Sequence, residues 1–198
     1  MTLVIGVTLP TGVVMASDSR TVSGTGIVPP YDAKMRSYND HWLVGYAGMV
    51  EYWHAYLTQL ESVLQDGGDP SDPVRHRAAQ TQLWELGKCP WQEEPECPAV
   101  ELLLARETSL FKASHTELPY RIKWEAIGSG ARLAHFVLGG NGPAGYTALL
   151  HMSEYEVAQQ LHRIIRDASN ADATIGGPGY WARTSDLPHI HRFGEEDD

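Results

Sequence analysis

Apolar positions come in two unbroken runs at the start of the chain, with a turn between them. Leu3 to Val7 predicts one strand, Pro10-Thr11-Gly12 the turn, and Val13 to Ala16 the return strand. Runs so continuously apolar fit strands buried on both faces. A polar loop with Gly and Pro follows from Ser17 to about Ala33. Lys34 to Tyr38 and Trp42 to Tyr46 predict a second hairpin, turning at Asn39-Asp40. The period then changes. Val50, Trp53, Leu57, Leu60 and Leu64 recur every three or four residues, which predicts a helix ending at Gly67-Gly68. Asp69 to Pro73 links it to a second helix over Val74 to Leu86. Gly87 to Pro98, with its prolines, reads as an irregular loop.

Strands are expected again at Ala99 to Ala105, Leu110 to Ser114 and Ile122 to Ile127. Gly128-Ser129-Gly130 opens a helix running to Leu138, and a Gly-rich break covers Gly139 to Gly145. Ser153 with Glu156 three residues on has the capping-box pattern of a helix start. Val157, Leu161, Ile164 and Ile165 give that helix an apolar face. Gly176-Gly177-Pro178 ends the region, and Tyr180 to Thr184 reads as a last strand. Strands in blocks separated by helix pairs suggest two packed sheets with helices outside them. Doubly wound folds alternate strand and helix singly, and this chain does not.

The 198 residues suffice for one domain with a substantial core. The whole chain is read as that domain, with 2–184 as its body and 185–198 as a flexible acidic tail. Fifteen Lys and Arg against 25 Asp and Glu give a net charge of -10, which argues against a nucleic-acid surface. No apolar run reaches the length of about 18 residues that a spanning helix needs. The start lacks the basic flank of a secretory signal. A cytoplasmic location is therefore expected. Cys89 and Cys97 make no disulfide framework, and their spacing does not suit a zinc knuckle. Two free thiols are the favoured reading, with a local disulfide or an interface loop left open. His189-Ile190-His191 could bind a metal on one strand face, but two histidines are not a site.

Candidate chemistry begins at Thr2. Aminopeptidase removal of Met1 is expected before so small a side chain. The new terminus would hold a nucleophile and a base together: Oγ to attack a carbonyl and the free α-amine to take its proton. The amine's reference pKa is about 8, close enough to neutrality for that work. Asp18 ends the second strand and Lys34 opens the next hairpin. A lysine beside the terminus would stabilise a developing alkoxide and lower the amine's pKa, and Asp18 could hold it charged. A loop carboxylate and a solvated lysine are the plainer alternatives. Ser129 lies between two glycines at a strand-to-helix junction, where backbone N–H groups can bind an oxyanion. It could equally be a helix-capping serine.

Together these segments resemble one family. Thr2 at a strand, Gly12-Val13-Val14-Met15-Ala16-Ser17-Asp18-Ser19-Arg20, Lys34-Met35, Gly45-Tyr46-Ala47-Gly48 and Ala126-Ile127-Gly128-Ser129-Gly130 look like a proteasome β-type subunit or the related HslV-type peptidase. The separations from Thr2 to Asp18, Lys34 and Gly48 agree with that family without a gap. The resemblance runs from Thr2 to about Thr184. It implies an α+β N-terminal-nucleophile hydrolase with a four-layer αββα sandwich, assembled into rings. It implies a threonine-type endopeptidase acting through an acyl-enzyme, with no cofactor. Thr2 would be nucleophile and base, tuned by Asp18 and Lys34. Ser129 would support the amine, and Gly48 would offer its N–H to the oxyanion. Thr21, Tyr46 and Val50 would line the substrate pocket. Peptide or unfolded protein would be the substrate. Any ATPase that feeds the ring would be a separate chain, since no phosphate-cradling loop is present.

One departure concerns the support of the nucleophile. The family pattern carries an Asp followed three residues later by Ser or Thr. Here Asp172 is followed by Ile175, and Thr174 would serve only with the register slipped by one. Asp167 with Asn170 is an alternative match without the glycines. An amidase for small amides would keep the same nucleophile without a ring. A catalytically inactive structural subunit would keep Met1.

Overall fold

Strand β1 (Val4–Leu9) returns antiparallel as β2 (Gly12–Ser17), with Leu9 opposite Gly12 and Val4 opposite Ser17. This computed structural model describes residues 2–23, 26–28, 33–48, 50–66, 68–70, 72–85 and 100–194. All but one of the β1 and β2 residues are buried, as their apolar runs require. After β2 the chain forms a short hairpin, β3 (Thr21–Ser23) with β4 (Gly26–Val28). Strands β5 (Met35–Tyr38) and β6 (Trp42–Gly48) follow, paired from Met35–Gly45 to Tyr38–Trp42. Asn39 takes the positive φ that their turn needs, at 51°. Helices α1 (Val50–Gln65) and α2 (Pro73–Glu85) come next. Then come β7 (Val100–Arg106), β8 (Ser109–Ser114), β9 (Tyr120–Ile122) and β10 (Trp124–Ile127). The chain continues through α3 (Ala131–Leu138), α4 (Tyr146–Leu149), α5 (Glu154–Ala171), β11 (Tyr180–Arg183) and β12 (His191–Arg192).

The first sheet has the order β10-β1-β2-β11-β12 and the second β5-β6-β7-β8-β9. The expected single strand over 122–127 is two strands in different sheets. Tyr120–Ile122 pairs with β8, and Trp124–Ile127 pairs with β1. At the crossing, Lys123 accepts a hydrogen bond from the Thr8 amide at 2.8 Å, so the backbone stays satisfied.

The four-layer αββα sandwich implied by the resemblance is corrected by this arrangement. The described residues form a mixed fold of two antiparallel five-stranded sheets, a separate two-stranded sheet and five helices. Strands dominate, twelve against five helices among the described residues. Two physical features account for the difference. Short segments extend sheet edges that would otherwise present unpaired backbone: β9 covers β8, and β12 covers β11. The helices are unequal. α4 is a single turn, and α3 leaves Phe136 81% exposed.

Three apolar clusters hold the elements together. In one, Leu3, Ile5, Val14 and Ala16 meet α3, α4 and α5 through Ala134, Leu149, Leu161 and Ile165. In a second, Trp42, Val44, Leu102 and Leu104 meet Tyr56, Leu60 and Leu64 of α1 and Leu83 of α2. The third lies between the sheets, where Val4, Val13 and Met15 meet Met35, Leu43 and Leu103. A Cβ on Gly45 would stand 2.7 Å from Val4 Cγ1, so the sheets approach as closely as they do because that position is bare. α5 starts with the expected capping box, both Ser153–Glu156 bonds being present. Of the segment read as a tail, 185–194 is described. It carries β12, and His191 stacks on Trp181 at 4.5 Å. Residues 195–198, Cys89 and Cys97 lie outside the described residues. No helix among the described residues is long and apolar enough to cross a membrane.

Candidate active site

Pairing between β1 and β2 runs one residue past both strands. The Asp18 amide donates to the Leu3 carbonyl at 3.1 Å, and the Leu3 amide donates to Asp18 Oδ1 at 2.8 Å. This reciprocal pair places a carboxylate directly beneath the start of the chain. Asp18 is fully buried, and its oxygens are surrounded by donors. Lys34 Nζ lies 3.0 Å from Oδ1 and 3.1 Å from Oδ2, and the Gly176 amide donates to Oδ2 at 3.2 Å. Lys34 also donates to the Arg20 carbonyl at 2.7 Å. Its backbone is pinned just before β5: its amide donates to Ser17 Oγ at 3.2 Å, and its carbonyl accepts from the Tyr46 amide at 3.1 Å. Burial pulls the Lys34 ammonium below its ordinary pKa; the Asp18 carboxylate opposes that shift, and Arg20 adds to it. A buried ion pair of this kind persists only when its remaining polar positions are satisfied, and here backbone amides and a carbonyl supply that.

Thr2 precedes this anchor and is itself buried, with 8% of its surface exposed. The turn after β10 closes over it. The Gly130 amide donates to the Thr2 carbonyl at 3.4 Å. Gly128 has φ +92°, and a Cβ there would stand 2.2 Å from the Thr2 carbonyl oxygen. Only glycine fits on both counts. The loop after α5 closes the other side. Gly176 binds Asp18, its carbonyl accepts from the Ser19 and Arg20 amides at 3.1 and 2.9 Å, and Ser19 Oγ donates to the Pro178 carbonyl at 2.7 Å. Arg20 also donates to the Ala173 carbonyl.

The structure thus brings Asp18 and Lys34 together and bonds the pair to Leu3, the residue after Thr2. Other expected residues stand differently. Ser129 is exposed, and its hydroxyl makes no hydrogen bond among the described residues; the glycines beside it meet Thr2 instead. Asp172 caps the end of α5 and accepts from the Thr174 amide at 2.9 Å and from the Thr174 hydroxyl. Those two bonds hold its carboxyl below the usual range. Thr174 is therefore the hydroxyl partner of Asp172, while Ile175 is buried in the first apolar cluster. Gly48 ends β6 opposite Val100 with φ +123° and is exposed. Tyr46 is buried, stacks on Trp53 at 4.1 Å and donates to the Ala33 carbonyl at 3.1 Å. Val50 begins α1 and is 54% exposed. Thr21 opens β3, and its side chain lies outside the described residues, as does Met1.

The sequence reading marked the glycines around Ser129 but not their contact with Thr2, and it missed Glu101. Glu101 is the only charge in the apolar run 99–105, and that isolation was the available signal. Its carboxylate accepts from the Gly128 amide at 2.9 Å. Among the described residues, no group of three His, Cys, Asp or Glu is placed to hold a metal ion. A scan against protein-family models and a search of curated proteins each found no match to this chain.

Proposed function

We propose that this chain is a threonine-type hydrolase of peptide bonds, with Thr2 as its nucleophile once Met1 is removed. The observation that supports it most is the buried Asp18–Lys34 pair bonded directly to the residue after Thr2. A scaffold would gain little from burying that pair there, because a well-packed apolar replacement is often as stable.

In the reaction, the Thr2 α-amine takes the proton from Oγ as Oγ bonds to the substrate carbonyl carbon. The amine then gives that proton to the departing nitrogen as the C–N bond breaks, leaving an ester on Thr2. A water adds to the ester carbonyl and surrenders a proton to the same amine. The C–O bond to Thr2 breaks, Oγ recovers a proton, and the acid product leaves. The cationic Lys34 lowers the amine's proton affinity and stabilises the developing negative charge, and Asp18 keeps Lys34 in place and charged. Gly48 is the proposed oxyanion donor, and Thr21, Tyr46 and Val50 the proposed pocket.

The resemblance to proteasome β-type subunits extends the proposal to a cytoplasmic ring of copies of this chain. That ring acts on unfolded protein delivered by a separate ATPase. The test is hydrolysis of an unfolded protein by the wild type and by Thr2→Ala. Loss of turnover in Thr2→Ala, with assembly size unchanged, is expected. Undiminished turnover would overturn the assignment.

A further inference from the structure

We infer that Glu101 is a positioning residue for Thr2, holding the Gly128 peptide against it from the opposite sheet. This inference rests on the proposed role of Thr2. Gly128 touches Thr2 and adopts a φ of +92°, yet it stands where β10 has just left the first sheet. A glycine there has wide conformational freedom, so something must select this one geometry. The partner of its amide is Glu101 Oε2 at 2.9 Å.

Glu101 makes a rigid base for that bond. Its backbone is paired on both sides, with Ala47 of β6 and Ser114 of β8. Its other oxygen faces Lys112 Nζ at 3.5 Å, and Lys112 lies 3.4 Å from Glu125 Oε2. Glu125 accepts from the Ala126 amide at 2.9 Å and from His135. The carboxylate is therefore clamped between a lysine and the Gly128 amide. This chain of contacts joins the second sheet to the Thr2 turn outside the apolar cluster between the sheets. Its consequence is orientation: a misplacement of about 1 Å at a nucleophile can cost about 100-fold.

The test compares Glu101→Leu and Glu101→Gln with the wild type, each assayed well below its melting temperature. Glu101→Leu loses the acceptor, and kcat should fall at least tenfold with KM within threefold. Glu101→Gln keeps an acceptor oxygen for the Gly128 amide, and its kcat should stay within threefold of wild type. Hydrogen exchange at the Gly128 amide should quicken at least tenfold in Glu101→Leu alone. A merely structural role would lower the melting temperature and leave kcat and the glutamine rescue unaffected. Unchanged kcat in Glu101→Leu, with an active wild type, overturns this inference and leaves the nucleophile intact. An equal loss in both variants also overturns it, since charge rather than geometry would then be responsible. A wild type with no turnover removes the proposed function, and this inference falls with it.

Discussion

Among the described residues, two buried polar pairs invite comparison, and they differ in charge and surroundings. Tyr56 on α1 and His76 on α2 form one, with the Tyr56 hydroxyl 2.8 Å from His76 Nδ1. The other ring nitrogen of His76 meets the Pro70 carbonyl. A carbonyl only accepts, so Nε2 carries the proton and Nδ1 accepts from Tyr56. Burial lowers the His76 pKa and raises that of Tyr56, so both are neutral. Every position is used within the fold, and the pair docks α2 onto α1. Asp18 and Lys34 are equally buried but charged, and they converge on the ends of β1 and β2, the start of β5 and the loop after α5. Burial displaces ionisation at both sites, so a displaced pKa alone does not distinguish chemistry from architecture. The neighbour does: the proposed nucleophile precedes one pair, while the other lies between α1, α2 and the Ser114 carbonyl of β8.

That contrast can be broken by substitution. Asp18→Ala takes away the carboxylate that Lys34 is paired with. It should cost about 3–5 kcal/mol in stability as well as activity, read by denaturant unfolding. Lys34→Ala leaves the buried Asp18 with only the Leu3 and Gly176 amides, so it too should cost stability, and its activity is read below its melting temperature. Hydrolysis should fall roughly 100-fold, the scale for losing a key electrostatic group. A loss under about threefold would reject its role. Tyr56→Phe should cost about 1–2 kcal/mol, because His76 Nδ1 loses its donor in the interior. Its turnover should match the wild type, and a tenfold fall would erase the distinction between the two pairs.

The smallest expected effect is the pH dependence carried by His76. Its folded pKa lies below the ordinary 6.5, so the unfolded chain binds more protons as pH falls through that value. Stability should be fully present above about 6.5 and decline as pH drops toward the folded pKa. Melting curves between pH 7.5 and 5, compared with a His76→Gln variant, isolate that contribution; an unchanged slope would contradict it.

Local features of this fold were legible in the chain. The turn at Pro10-Thr11-Gly12 aligns Val4 with Ser17, which is what brings Asp18 to Leu3. The Ser153–Glu156 cap also follows from short spacing. Features that depend on distant pairing were not. Nothing local marks Lys123 as the point where the chain changes sheets, since each half is a plausible strand alone. β3, β4 and β12 span only two or three residues each, too short to show a period, so their pairing partners make them strands. Lys34 is singled out by its separation from Thr2, but its burial against Asp18 depends on the distant pairing of β5 with β6. Glu101 meets Gly128, 27 positions away, through a backbone amide, which leaves no side-chain pattern to read.

The central claim is a live N-terminal threonine above the Asp18–Lys34 pair. Intact mass, before and after incubation with an electrophile directed at N-terminal threonine, tests it most directly. The account predicts loss of Met1 and a single adduct that maps to Thr2 and disappears in Thr2→Ala. A chain that keeps Met1 and takes no adduct would contradict it.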